Sequence, residues 1–168
     1  MSALEFLSRP EALTDLRPVA RSPLERALRG VDAGLVEDVS LSVGKLEVRG
    51  DIADLAVKGA EVVRLTPDRA IVLCDAEKSA AILARLRKKG YVVIDMWAAY
   101  AGLRLRSERL LRRLTDLDHE ALPAVGALAH VQALVLRDEA DTFRIFVPQE
   151  YGHYVVEVAV DAARGLEG

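Results

Sequence analysis

The strongest constraint on the fold is a pattern that the chain carries twice. Leu46 and Val48 alternate with Lys45, Glu47 and Arg49, the period-two signature of a half-buried strand. Leu103 and Leu105 stand 57 positions further on and alternate with Arg104 and Arg106. Asp38 returns as Asp95 and Gly50 as Ser107 at the same spacing of 57. Later the spacing widens to 73, with Ala70–Cys74 answered by Phe143–Val147, so the second copy holds 16 extra residues before its hairpin. Each copy reads strand, strand, short helix, hairpin, long helix, over about residues 36–90 and 91–165. This predicts an internally duplicated α+β fold about a pseudo-twofold axis, with the helices on one face of antiparallel sheet. A ligand pocket is expected where the copies meet. Residues 1–35, with Pro10, Pro18 and Pro23, read as an N-terminal arm over a domain spanning 36–168.

Local signals fill in the elements. Glu61–Leu65 and Ala70–Cys74 read as a hairpin around Thr66-Pro-Asp. Glu77–Lys89 is the clearest helix: Ile82, Leu83 and Leu86 recur at core spacing, and Gly90 follows a cationic last turn. Tyr91–Met96 and Ala101–Arg106 read as strands, and Ser107 as the N-cap of the helix after them. Thr115–Ala129, with Pro123 and Gly126, reads as a long connection, Val131–Leu136 and Phe143–Val147 as a hairpin, and Gln149–Ala163 as a closing helix. Short helical pieces are expected near Pro23–Leu28, and a helical turn or loop capped by Asp51 over Ile52–Lys58.

Composition narrows the function classes. In 168 residues, 51% hydrophobic and 29% charged, a net charge of −3 gives no reason to expect nucleic-acid binding. A single cysteine, Cys74, excludes an internal disulfide framework and a multi-cysteine zinc site. The most apolar stretch, Tyr91–Leu103, is interrupted by Asp95 and is shorter than a membrane span of about 20 residues. No membrane association and a cytoplasmic location are the expectation.

Catalysis needs a nucleophile beside a base, paired carboxylates or a metal. Cys74 lies in an apolar strand and reads as an inert core thiol. Asp116, Asp118 and His119 form the one acid–histidine cluster, in a segment where turn chemistry accounts for the aspartates. His130 and His153 read as packing residues, and no glycine-rich phosphate loop is present. No catalytic or metal-binding residue is assigned. Arg104, Arg106, Arg109, Arg112 and Arg113 cluster within ten positions, as a solvated face or as a surface for an acidic partner or carboxylated ligand. Trp97 and Tyr100 are the densest aromatic spot in an aromatic-poor chain, a pattern suited to a contact surface.

Four stretches, in order, resemble a known family. They are Asp38-Val-Ser-Leu-Ser-Val-Gly-Lys-Leu-Glu-Val-Arg-Gly50, Val93-Ile-Asp-Met-Trp-Ala-Ala-Tyr-Ala-Gly-Leu-Arg-Leu105, Leu122-Pro-Ala-Val-Gly126 and Phe143-Arg-Ile-Phe-Val-Pro-Gln-Glu-Tyr-Gly-His-Tyr154. They resemble the gamma subunit of heterotetrameric sarcosine oxidase, itself similar to the folate-binding domain of the glycine-cleavage T-protein, an aminomethyltransferase. The resemblance implies a duplicated fold and a non-catalytic subunit without a cofactor of its own. The complex would carry FAD, FMN, NAD and tetrahydrofolate, with an alpha subunit as the partner beside beta and delta subunits, and Trp97, Tyr100, Arg109, Arg112 and Arg113 as the partner-facing residues. The paired aspartates of the aminomethyltransferases are missing: Ala129-His-Val-Gln-Ala-Leu-Val-Leu-Arg137 holds no acid. The alternative is a stand-alone tetrahydrofolate-binding or aminomethyltransferase-like module, a homodimer when isolated, with Arg104 or Arg106 meeting the glutamate tail of folate.

Overall fold

A computed structural model describes residues 20–32 and 34–167. Its elements are β1 (Val36–Asp38), β2 (Val43–Arg49), β3 (Ala60–Thr66), β4 (Arg69–Asp75), α1 (Ala76–Lys88), β5 (Val92–Asp95) and β6 (Tyr100–Leu105). They continue with α2 (Glu108–Leu114), β7 (Ala124–Leu128), β8 (Val131–Glu139), β9 (Thr142–Pro148) and α3 (Gly152–Glu167). The strands form two antiparallel sheets, ordered β1-β6-β9-β8-β7 and β3-β4-β2-β5.

Neither sheet is made from one half of the chain. The opening strand of the first half, β1, pairs with β6, and the opening strand of the second half, β5, pairs with β2. The two exchanges have the same register: Asp38 lies opposite Leu103, and Asp95 opposite Leu46. The correspondence continues inward. Val43 faces Asp75 as Tyr100 faces Pro148, and Val62 faces Val72 as Val135 faces Ile145. Positions 57 apart in the opening strands and 73 apart in the hairpins therefore hold the same places in the two sheets.

Alternation along each strand sends side chains to two different cores. Leu46, Val48, Ala70 and Val72 pack with Ile82 and Leu86 of α1 and with Ile52 and Leu55 of the connection before β3. Leu103, Leu105, Val135, Phe143 and Ile145 pack with Leu110, Leu111 and Leu114 of α2 and Val155, Val156 and Ala159 of α3. Between the sheets lies a third core of Val63, Ile71, Leu73, Leu134, Leu136 and Phe146. The layers are thus helix, sheet, sheet, helices: the sheets face each other and the helices cover their outer faces, instead of sharing one face of sheet. Consequently β2 is covered on both sides, and Lys45 and Glu47, expected on a solvated face, are 1% and 2% exposed.

Other local expectations are corrected by the chain's geometry. Residues 23–30 form consecutive turns, with Ser22 Oγ accepting from the Leu24 N–H at 3.0 Å, and Leu24 is fully buried against the α2–α3 side. The part of the arm preceding residue 20 lies outside the described residues. The long connection after α2 contains β7, which joins β8 through a two-residue turn at Ala129 and His130, both with positive φ (48° and 65°). Non-glycine residues seldom adopt that conformation. The closing helix starts at Gly152, after a single 3-10 turn over Gln149–Tyr151.

Candidate functional site

The exchange of opening strands brings β2, β4 and β6 together with β8 and β9 around a cavity of about 100 Å³ between the sheets. Its walls are aliphatic and aromatic, from Leu65, Ile71, Leu134 and Phe146, with Tyr100, Val125 and Gln132 also lining it. Two cationic side chains line it as well, Lys45 from β2 and Arg69 from β4.

Both cations have donors to spare. Lys45 Nζ donates to Ser40 O at 2.8 Å, its one hydrogen bond among the described residues, and sits 5.8 Å from the Phe146 ring centroid. An ammonium carries three N–H donors. Arg69 Nη2 donates to Glu47 Oε2 at 2.7 Å, while its buried Nε–H has no partner. Glu47 also accepts from Arg49 Nε at 2.5 Å.

Burial sets the electrostatics. It pushes the Lys45 ammonium down to about 8, and the charges of Asp38 and Asp95 only partly oppose that. Burial works to raise the Glu47 carboxyl, but the hydrogen bonds and charges of Arg69 and Arg49 outweigh it and hold the group below its ordinary range. Cys74, buried on β4 on the α1 side, has its thiol pushed up by burial and then by Asp75, the opposite of an activated nucleophile.

The arginines singled out in the sequence are elsewhere. Arg104 Nη1 and Arg106 Nη2 both pair with Glu37 Oε2 at 2.9 Å, and neither lines the inter-sheet cavity. Arg112 pairs with Glu108 at 2.6 Å, and Arg109 and Arg113 are exposed on α2. Trp97, partly exposed in the β5–β6 link, donates from its indole nitrogen to Leu41 O at 3.3 Å. Tyr100 is the one expected contact residue that reaches the cavity. His119 is buried edge-on to Phe143 with ring centroids 6.4 Å apart, and Asp118 caps the turn before it by accepting from the Glu120 N–H. Among the described residues no group of three or more His, Cys, Asp or Glu side chains is placed to hold a metal ion, and no helix is long and apolar enough to cross a membrane.

Sequence reasoning missed Lys45 and Arg69. The available signal was Lys45 standing between small and aliphatic residues in Val43-Gly-Lys-Leu, but alternation assigns it to water when only one covering layer is assumed.

With that geometry in hand, solved structures give a consistent comparison. A chain of the heterotetrameric sarcosine oxidase from Corynebacterium sp. U-96, solved in complex with pyrrole 2-carboxylate, superposes with a TM-score of 0.74 at 18% identity, over 90% of this chain and 98% of that one. The fold is that of a sarcosine oxidase subunit. The glycine cleavage system aminomethyltransferase T from Bartonella henselae superposes with a TM-score of 0.56 at 16% identity, over 77% of this chain. The match spans only 46% of that protein's length. By sequence, no family model and no curated protein matches the chain.

Proposed function

We propose that this chain is a gamma-type, non-catalytic subunit of a heteromeric complex that oxidises an N-methylated amine, as the sarcosine oxidases do. The observation that carries this reading is one of extent. The sarcosine oxidase chain is matched over 98% of its length, as one separate polypeptide of an assembly, whereas the aminomethyltransferase is matched over less than half. The recurrence of one pairing register at spacings of 57 and 73 supports an internal duplication beneath this fold.

The partner would be a larger flavin-bearing subunit. The β5 edge of the four-stranded sheet, unpaired among the described residues, gives it a place to dock: β5 leaves Val92 60% and Ile94 39% exposed, and Trp97 and Leu41 follow beside it. Exposed apolar residues on an unpaired edge invite another chain. Affinity purification of the tagged chain, co-expressed with its flavoprotein subunits, tests this by the flavin absorbance of the eluate. Stoichiometric flavin is expected. Val92→Glu with Ile94→Lys should cut that recovery by at least about tenfold while leaving the fold unchanged, because both side chains are exposed. A chain that elutes alone, free of flavin, would remove the reading.

The alternative tetrahydrofolate module has less support. Arg104 and Arg106 are engaged by Glu37, and a cavity of about 100 Å³ is far smaller than a pterin with its tail. In thermal unfolding, absence of any shift at millimolar tetrahydrofolate is expected.

A further inference from the structure

The outer strands β1 and β5 hold equivalent places and present different edges. Met96 N donates to Lys45 O at 2.8 Å, which fixes the phase of the β2–β5 ladder. Val92 and Ile94 therefore bond to β2, and the backbone groups of Val93 and Asp95 point away from the sheet. The Val93 carbonyl confirms this direction, because Arg87 of α1 reaches the edge and donates to it from Nη2 at 2.8 Å. Val93 is 3% exposed under that cover. On β1 the outward Val36 N–H is accepted by main chain, Asp32 O at 3.3 Å. Among the described residues, backbone closes one edge and a single side chain closes the other.

The side chains of β5 complement themselves. Val93 packs on the α1 side of the sheet, so Asp95 shares that face, and Val92 and Ile94 lie on the other. Val92, Ile94 and Asp95 are all exposed. Arg87 stands on the Asp95 face, and both its hydrogen bonds go to Val93 O, with no carboxylate partner among the described residues. Asp95 Oδ1 accepts from the Trp97 N–H, which leaves Oδ2 available. Two β5 strands related by a twofold axis pair antiparallel only with outward residues opposite outward residues. Asp95 opposite its own copy sets like charges together, and Val93 opposite its own copy sets Asp95 against Tyr91. With Ile94 on the axis, Val93 faces Asp95 of the second copy, and that carboxylate arrives beside Arg87. The two exposed isoleucines then meet, and Val92 meets Met96. β1 does not allow this: Glu37 holds the place of Ile94 and would face its own copy, and Arg104 and Arg106 already engage it.

We propose that the isolated chain forms a twofold dimer through β5, joining the four-stranded sheets of two copies edge to edge. Arg87 is the latch. In the dimer Val93 O accepts from the Asp95 N–H of the second copy, and the released Arg87 guanidinium pairs with the Asp95 carboxylate of that copy. The hydrogen bond given up is replaced by another and by a charge-assisted pair. The dimer does not rest on the subunit reading above, since this chain supplies every residue in it. Both use one edge, so a second copy and a flavin-bearing subunit exclude each other there.

The test is sedimentation equilibrium of the full chain by itself. So short an edge gives a weak dimer, and a Kd of about 10–100 μM is expected. Arg87→Glu and Asp95→Arg should each weaken self-association at least about tenfold, because each sets like charges together at both ends of the pairing. An equimolar mixture of the two variants should restore it, since the mixed dimer joins opposite charges at both ends. Ile94→Cys tests the register without touching those charges. Cα atoms of a non-hydrogen-bonded pair lie about 4.5 Å apart, so this variant should cross-link to its own copy on mild oxidation, and Val92→Cys should not. The native thiol, Cys74, is buried. The cross-link decides the matter should either charge variant fail to fold. The proposal is overturned if the chain stays monomeric up to about 1 mM, if mixing the folded charge variants restores nothing, or if Ile94→Cys cross-links no better than Val92→Cys. A monomeric chain leaves the flavin recovery expected in co-expression unchanged.

Discussion

Lys45 occupies an expensive position for a charge. It is 1% exposed, with the Phe146 ring and Ser40 O beside it. Its pKa of about 8 lies below the ordinary 10.5, so the folded protein releases this proton before the unfolded chain does. Below pH 8 both states hold the proton and the buried charge opposes folding. Between about pH 8 and 10.5 the unfolded state binds more protons, and the contribution to stability rises with pH. Denaturant unfolding of the native chain and of Lys45→Met across this window should show the native chain gaining on the variant by up to about 3 kcal/mol. At pH 7 the variant should be at least as stable as the native chain. A flat difference between the two curves would show that the lysine is not buried as described. Glu47 makes the opposite case, because Arg69 and Arg49 stabilise its ionised form. Its folded pKa is depressed, so its contribution is present above the ordinary carboxylate pKa and fades as pH falls through the lower folded value. Lys45 and Glu47 were both legible as alternate positions of a strand. Their burial was not, since alternation identifies a face but not what covers it.

At the scale of elements, α2 depends on its cap. Ser107 Oγ accepts from the Leu110 N–H at 3.1 Å, as the sequence pattern anticipated. Ser107→Ala should cost about 1 kcal/mol in chemical denaturation, and an unchanged midpoint would show that the cap is dispensable. The bridge between sheets is less replaceable. Arg144 and Asp138 each have side chains 17% exposed, and Arg144 also reaches Glu61. Arg144→Met leaves Asp138 with Arg104 at 3.5 Å and leaves Glu61, 43% exposed, to solvent, and should cost about 1 kcal/mol. The double variant with Asp138→Asn should recover part of that loss; strict additivity would show that the pair does not interact. β7 was hidden in the sequence because its turn, Ala129-His130, has positive φ at both positions without glycine, asparagine or aspartate to announce it. The helices were legible because capping and a 3.6-residue apolar stripe are local signals: α1 lies within a residue of its expected bounds, and α2 begins directly after its expected cap, Ser107.

For the whole molecule, the exchanged opening strands make the halves interdependent. A fragment of residues 36–90 lacks β5 and β6, leaving β1 without its partner and β2 with an open edge. Each half also supplies one wall of the core between the sheets. Residues 36–90 and 91–165 expressed separately should therefore each be unfolded by circular dichroism, and equimolar mixing should restore the sheet signal. The full chain should unfold in one cooperative transition. A stable isolated half would contradict the pairing.

The residues themselves determined the order of strands and helices, β7 apart, and the equivalence of the opening strands, because these follow from nearest neighbours along the chain. Tertiary structure alone decided that the two opening strands change places, that two sheets stack instead of sharing one face, and that Lys45 and Arg69 end at one apolar cavity while Arg104 is consumed by Glu37. Those outcomes depend on which surfaces far apart in sequence exclude water from each other, and the period of a strand carries no record of its partner.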